Sequence, residues 1–346
     1  MYEYMIPVDK DHPRKGEGDL IVLKDGSLLL AYTEFYGGSS DFSPARIVGI
    51  KSYDNGYSWS KPFILQENIG QCNVMSVSLV RLKTGEIAFF YGVKNSFEDL
   101  RFYMRKSFDE GETWSKPVLV TVDKGYFVMN NDRVVQLSSG RIIAPVSTYQ
   151  DSVNHSYWKS YIYYSDDNGE TWVKSKNEVK LPENIDSLIG LQEPGIIELK
   201  DNRIMMYMRT GLGYIYASYS EDWGETWSKP KPLNVKAPTS PSSIKRIPQT
   251  GDLILIWNDK NNFNIENLKR RGADICDRSF QHRAPLSLAI SRDEGETWIK
   301  KMDIEPDLNH RYCYTSITFK KQYIFLTYYY DLNLKIKRID IEEIYR

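Results

Sequence analysis

Residues 107–114 read Ser107-Phe108-Asp109-Glu110-Gly111-Glu112-Thr113-Trp114, and the pattern Ser-x-Asp-x-Gly-x-x-Trp within them returns four more times. The other copies are Ser52/Asp54/Gly56/Trp59, Ser165/Asp167/Gly169/Trp172, Ser220/Asp222/Gly224/Trp227 and Ser291/Asp293/Gly295/Trp298. Successive serines lie 55, 58, 55 and 71 residues apart, a period that marks repeated supersecondary units. Each copy suits a turn between two strands: Asp bonds nearby backbone N–H groups, Gly supplies positive φ, and Trp packs as the next strand begins. Such a turn staples a hairpin and positions no reacting group.

A second repeat runs independently of the first. Two strands rich in β-branched residues and Leu flank short polar turns at Lys24-Asp25-Gly26, Lys83-Thr84-Gly85, Ser138-Ser139-Gly140, Lys200-Asp201-Asn202, Gln249-Thr250-Gly251 and Lys320-Lys321-Gln322. These are hairpin signals. Strand, hairpin, strand, loop, strand, stapled turn, strand makes a four-stranded blade, and six blades make a β-propeller. The expected fold class is therefore all-β, a six-bladed propeller of four-stranded antiparallel blades forming a single domain over 1–346. Only the sixth blade lacks the staple, so Met1 to Pro7 is expected to supply its fourth strand, which protects the edges an open sheet leaves bare.

Composition excludes several classes. With 45 Lys and Arg against 46 Asp and Glu the formal charge is −1, without the basic footprint that nucleic-acid binders need. No apolar run approaches the roughly 18 residues of a membrane span, and the charged start offers no signal-peptide core. Cys72, Cys276 and Cys313 lie far apart, which suits a reducing cytoplasm better than a disulfide framework. His12, His155, His282 and His310 show no metal-ligand spacing, and no Gly-rich phosphate loop occurs. No cofactor, metal, nucleic-acid or membrane partner is expected; oligomeric state is not legible.

Polar residues collect where the first strand of each blade begins. Nine residues ahead of each hairpin Gly, or its equivalent, stand Glu17, Ser76, Asn131, Glu193, Ser242 and, in the sixth repeat, Cys313 between Tyr312 and Tyr314. Plain core would be apolar there, because buried polar groups without partners cost free energy.

The five stapled turns resemble the Asp-box of sialidases and their relatives, a likeness that runs over almost the whole chain. It implies a retaining glycosidase with a Tyr nucleophile assisted by a Glu, an Asp acid/base, and three arginines that grip the substrate carboxylate. A neutral Tyr suits a sugar whose reacting carbon carries a carboxylate, since an anionic nucleophile would be repelled. Glu193, in Gln192-Glu193-Pro194-Gly195 and ahead of Arg209, resembles the family's Glu-Pro segment followed by one triad Arg. Arg283, in Arg283-Ala284-Pro285-Leu286, is similar to the site of another. Tyr314, heading Tyr314-Thr315-Ser316, resembles the nucleophile segment, with Tyr312 as the alternative. Asp41, in the loop Tyr36 to Pro44, lies where the acid/base Asp is carried.

Blade one departs from this pattern. The first triad Arg falls on Gly16, flanked by Arg14, Glu17 and Asp19, so acids stand where the family binds an anion. Arg14 is the candidate to reach in from nearby. The site expected is thus Tyr314, Glu193 and Asp41 for catalysis, with Arg209, Arg283, Arg14, Glu17, Asp19, Asn131 and Tyr312 binding a glycan or sugar substrate. Two other readings stay open: an inverting glycosidase or polysaccharide lyase in the same pocket, and a non-catalytic glycan-binding propeller.

Overall fold

A computed structural model describes every residue except Asp151, Asp186, Leu188 and 262–282. Cys276, His282 and the Arg270–Arg271 pair lie outside the described residues. Strand β1 (Tyr2–Ile6) opens the chain. The first complete sheet follows as β2 (Arg14–Val22), β3 (Leu28–Phe35), β4 (Ala45–Ser52) and β5 (Phe63–Gln66). The next is β6 (Asn73–Arg81), β7 (Ile87–Lys94), β8 (Leu100–Ser107) and β9 (Val118–Leu119). A third has β10 (Val135–Gln136), β11 (Ile142–Thr148), β12 (Lys159–Ser165) and β13 (Val173–Lys174). Then come β14 (Gln192–Glu198), β15 (Ile204–Arg209), β16 (Tyr214–Ser220) and β17 (Lys231–Lys236). They are followed by β18 (Ser243–Arg246), β19 (Leu253–Asn258), β20 (Leu286–Ser291) and β21 (Ile299–Glu305). The last sheet is β22 (Tyr312–Lys320), β23 (Tyr323–Tyr330) and β24 (Asn333–Asp340), and β1 pairs antiparallel with β24 from Tyr2↔Arg338 to Ile6↔Leu334.

Six sheets of four strands in chain order are the arrangement expected from the two repeats. Contacts divide the chain into two compact units. The first comprises Met1–Ile142, Ser165–Trp172 and Tyr314–Arg346, the second Ile143–Tyr164 and Val173–Cys313. Apolar faces of neighbouring sheets supply the core of each. In the first unit Ile21, Leu29 and Ile47 pack with Val77, Phe89 and Tyr91. In the second, Met205, Tyr207 and Ile215 pack with Leu253, Leu255 and Trp257. Burial of this kind contributes roughly 1.5–3 kcal/mol per large apolar side chain.

All five stapled turns close in the same way. Ser107 Oγ donates to Asp109 Oδ1 at 2.8 Å and accepts from Gly111 N at 2.7 Å, while Thr113 N reaches Asp109 Oδ1 at 2.8 Å. The residue before each Gly is left-handed as well, for example Glu110 at φ 60° ahead of Gly111 at φ 87°. Hydrogen bonds to the ionised carboxylate favour the charged form. The Ser58 and Thr113 hydroxyls, with backbone N–H groups, hold Asp54 and Asp109 down to about 2. Asp167, although burial works in the opposite direction, is held to about 2 by Thr171.

These depressed values set a direction for stability. A carboxylate whose folded pKa lies below its unfolded one stabilises the fold above the unfolded value, near 3.9, and loses that contribution as pH falls through the folded value. Thermal midpoints are expected to fall steeply as pH drops from about 4 to about 2. A variant carrying Asp54→Asn, Asp109→Asn and Asp167→Asn should melt lower at neutral pH and show a shallower acid slope. Parallel wild-type and variant profiles across that window would exclude the turns as the source.

Candidate active site

The first strands of the blades are not regular. Register breaks occur between Gly16 and Asp19 in β2, Met75 and Ser78 in β6, and Gln192 and Gly195 in β14. At these bulges Glu17, Ser76 and Glu193 adopt φ of 49°, 61° and 49°, and Asp132 and Tyr314 share the conformation at 58° and 57°. A bulge re-aims a side chain and leaves backbone groups unpaired. Neighbouring strands satisfy two of them: Thr33 Oγ1 accepts from Ser76 N at 3.1 Å and Ser147 Oγ from Glu193 N at 3.1 Å, while Asp132 Oδ2 accepts from Ile317 N at 2.8 Å.

This geometry corrects the sequence register in two repeats. In the sixth it is Tyr314, seven residues before the left-handed Lys321, that shares the conformation of Glu17 and Glu193, whereas the gapless count selects Cys313. In the third it is Asp132 and not Asn131. Asn131 donates through Nδ2 to Gly18 O at 2.7 Å and Tyr314 O at 3.0 Å and is buried. Asp19 is also buried, and accepts from Leu20 N and Leu79 N at 2.8 Å each, so backbone amides occupy it. Tyr312, the alternative to Tyr314, is fully buried with its hydroxyl donating to Asp307 O at 3.0 Å.

Within the first unit, four charged groups surround the Gly16 position. Arg14 donates to Glu17 Oε1 at 3.0 Å, to Asp41 Oδ1, and through Nε to the Tyr329 hydroxyl at 2.8 Å, with its guanidinium 4.4 Å from the Phe35 ring centre. Burial disfavours its charge, but Tyr329, Glu17 and Asp41 prevail and hold it protonated more firmly than an ordinary arginine. Glu17 also accepts from Ser76 Oγ, and burial pushes its carboxyl above the usual glutamate range against the pull of Arg14 and Ser76. Asp41 is 64% exposed, yet its loop is pinned. Its carbonyl accepts from Lys94 Nζ and Asn73 Nδ2, each at 2.9 Å. Lys94 is only 2% exposed, and burial drives its ammonium below the ordinary lysine range despite Asp41 and Glu17.

Gly16 is required where it stands. A Cβ there would lie 2.1 Å from Tyr329 Cε1, so the aromatic ring fills the space a side chain at 16 would need. Tyr329 also meets Tyr314 edge-on, ring centres 5.8 Å apart at 82°. Tyr329 and Lys94 escaped the sequence reading because each sits on a second strand, remote from the motifs.

In the second unit Glu193 Oε2 accepts from Arg209 Nη1 at 2.7 Å and Gln192 Oε1 from Arg209 Nη2 at 2.6 Å, across the β14–β15 pair. Both acid and base are nearly buried. Gly195 completes the motif because a Cβ would strike the Tyr207 hydroxyl at 2.3 Å. Arg283 donates through Nη1 to Cys313 Sγ at 3.1 Å, and its carbonyl accepts from Tyr312 N at 2.9 Å. The two units therefore carry a carboxylate–arginine pair each, Glu17 with Arg14 and Glu193 with Arg209. Among the described residues no group of three or more His, Cys, Asp or Glu is disposed to hold a metal ion.

Comparison with known proteins bears on this arrangement. The profile of a family described as a BNR repeat-like domain matches residues 71–326. A sialidase from Paraclostridium sordellii is 28% identical over 249 residues, 65% of this chain and 59% of its own. The chain thus spans about three fifths of that relative. Among solved structures, a protein of unknown function from Dyadobacter fermentans superposes with a TM-score of 0.75 at 16% identity, covering 98% of this chain and 97% of that one. A Hadza microbial sialidase gives 0.74 at 18% identity, covering 96% of this chain and 66% of that one. These likenesses show the fold, an all-β six-bladed β-propeller of four-stranded antiparallel sheets.

Proposed function

We propose that this chain, which belongs to the BNR repeat-like domain family, is a sialidase-like glycoside hydrolase, a retaining exo-glycosidase that releases a terminal sugar from a glycan. The observation that carries the reading is the left-handed backbone that Glu193 and Tyr314, the two residues the family resemblance singles out, share near the start of β14 and β22. Strained non-glycine positions of this kind concentrate at functional sites. Tyr314 is the proposed nucleophile and Glu193 the base that assists it, because a phenol with an ordinary pKa near 10 attacks at neutral pH only with such help. Asp41 is the proposed acid/base. Its exposed carboxylate on a pinned loop suits proton exchange with a leaving group and then with water.

A second reading rests on Glu17. This buried carboxyl, with its pKa raised, is the better reservoir for a proton, and in that role it would serve an inverting glycosidase or a lyase. One experiment separates them. A panel of aryl glycosides is followed by NMR from the first turnover. Initial release of the anomer with retained configuration supports the retaining reading; inverted sugar or an unsaturated product supports the second. Binding without turnover of any member would leave the glycan-binding propeller.

A further inference from the structure

Beyond Glu193, the second unit carries an aromatic loop that the proposed chemistry does not use. Tyr149, Gln150 and the described residues 152–158 lie between β11 and β12, and two cavities meet at them. One, of about 540 Å³, is lined by Gln150, Tyr157, Trp158, Lys180 and Glu183 among others. The other, of about 520 Å³, is lined by Asn154, His155, Tyr157, Trp158 and Gln192. Both volumes lie in the range of small-molecule sites.

Three observations give this region a chemistry. First, the rings are fixed as a group: Trp158 meets Tyr149 edge-on, with centres 5.5 Å apart at 89°, and Tyr149 lies 4.9 Å from His155. The Trp158 indole N–H donates to His155 O at 3.1 Å. Second, Tyr157 is 40% exposed, and its hydroxyl bonds to none of the described residues. Its backbone is nevertheless tied down. The Gln150 side-chain amide donates to Tyr157 O at 2.9 Å, and both His155 and Tyr157 are left-handed at φ 49° and 57°. Non-glycine residues held this way recur at ligand clamps. Third, Gln192 spends its amide oxygen on Arg209, which sets the amide orientation and leaves its N–H₂ group without a protein partner among the described residues.

We infer that this loop and Gln192 form a platform for a second sugar ring of an oligosaccharide, beside Glu193; the inference rests on the glycosidase reading above. A pyranose presents an apolar C–H face and a rim of hydroxyls. Aromatic surface answers the first, and the Gln192 N–H₂ group with the Gln150 amide oxygen answers the second. A purely apolar ligand would desolvate the Gln192 N–H₂ group together with Lys180 and Glu183. A simple anion would have no use for the rings. The occupant that satisfies both parts of the lining is an uncharged sugar residue.

The test compares an aryl glycoside with a trisaccharide that carries the same terminal sugar. Tyr157→Ala is expected to lower kcat/KM for the trisaccharide about tenfold more than for the aryl glycoside, the size of effect that loss of a stacked aromatic produces. Trp158→Phe, which keeps a ring, should give a smaller difference, and melting curves check that both variants fold. Equal losses on the two substrates, or none on either, overturn the platform. Binding gives an arm independent of turnover: saturation-transfer NMR with lactose, N-acetyllactosamine, maltotriose and cellotriose at millimolar concentration. Transfer that Tyr157→Ala abolishes supports the platform even if no glycoside is cleaved, in which case only the hydrolase reading fails. Transfer absent for all four sugars, or unchanged in Tyr157→Ala, overturns the platform whatever the enzyme cleaves.

Discussion

Tyr314→Phe is expected to reduce kcat on the best aryl glycoside by about 10³-fold or more, because removing the proposed nucleophile forces the reaction onto unassisted attack by water. The substitution deletes one hydroxyl and keeps the ring that packs edge-on against Tyr329. Melting temperature should therefore hardly move, and lost activity reports chemistry rather than unfolding. Glu193→Gln is expected to cost about 10²- to 10⁴-fold, the span seen when a general base is removed. It also breaks the nearly buried pair with Arg209. Leaving one partner of such a pair uncompensated destabilises by about 3–5 kcal/mol, although the amide of Gln can keep a neutral hydrogen bond. Calorimetry must accompany the kinetics for that variant. A Tyr314→Phe protein with near wild-type kcat and retained stereochemistry would remove Tyr314 from the mechanism.

The fold was legible because its signals are local. A stapled turn needs Ser, Asp and Gly within five residues, and a two-residue slip would destroy its hydrogen bonds, so the five copies survive as a readable period. The site was legible only in part, since its register depends on bulges. Counting back from a hairpin assumes that every first strand holds the same number of residues. Tyr314 breaks that assumption with a seven-residue count to Lys321 where Glu17 has nine to Gly26. Polarity at these positions also has a backbone source. Asp19 and Asn131 are polar because a bulge strands backbone N–H and C=O groups that something must satisfy, as buried polar groups almost always are. Lys94 and Tyr329 carried no sequence signal, being single residues on β7 and β23 whose meaning comes from what the fold brings beside Gly16.

That neighbourhood leads to the last expected result: an aryl sialoside should be turned over poorly by the wild-type protein, at least about tenfold below its best uncharged aryl glycoside, if losing one charge-assisted contact to a carboxylate costs about 1.5–3 kcal/mol. At the position where the family resemblance calls for an arginine there is Gly16, and the Tyr329 ring occupies the space. Arg14 stands nearby but is committed to Glu17, Asp41 and Tyr329. A carboxylate arriving there must compete with two acids already in place. Gly16→Arg alone is expected to fail and to lower stability by about 1–3 kcal/mol or more, since its Cβ collides with a ring in a packed interior. Gly16→Arg combined with Tyr329→Ala removes the collision and should raise sialoside turnover relative to uncharged substrates. Efficient sialoside cleavage by the wild-type protein would defeat this argument and transfer the carboxylate contact to Arg14, in which case Arg14→Ala must abolish it while sparing uncharged glycosides. If neither the wild type nor the double variant distinguishes charged from uncharged sugars, the Gly16 position has no part in specificity, and selection must come from the second unit, where Arg209 and Arg283 lie.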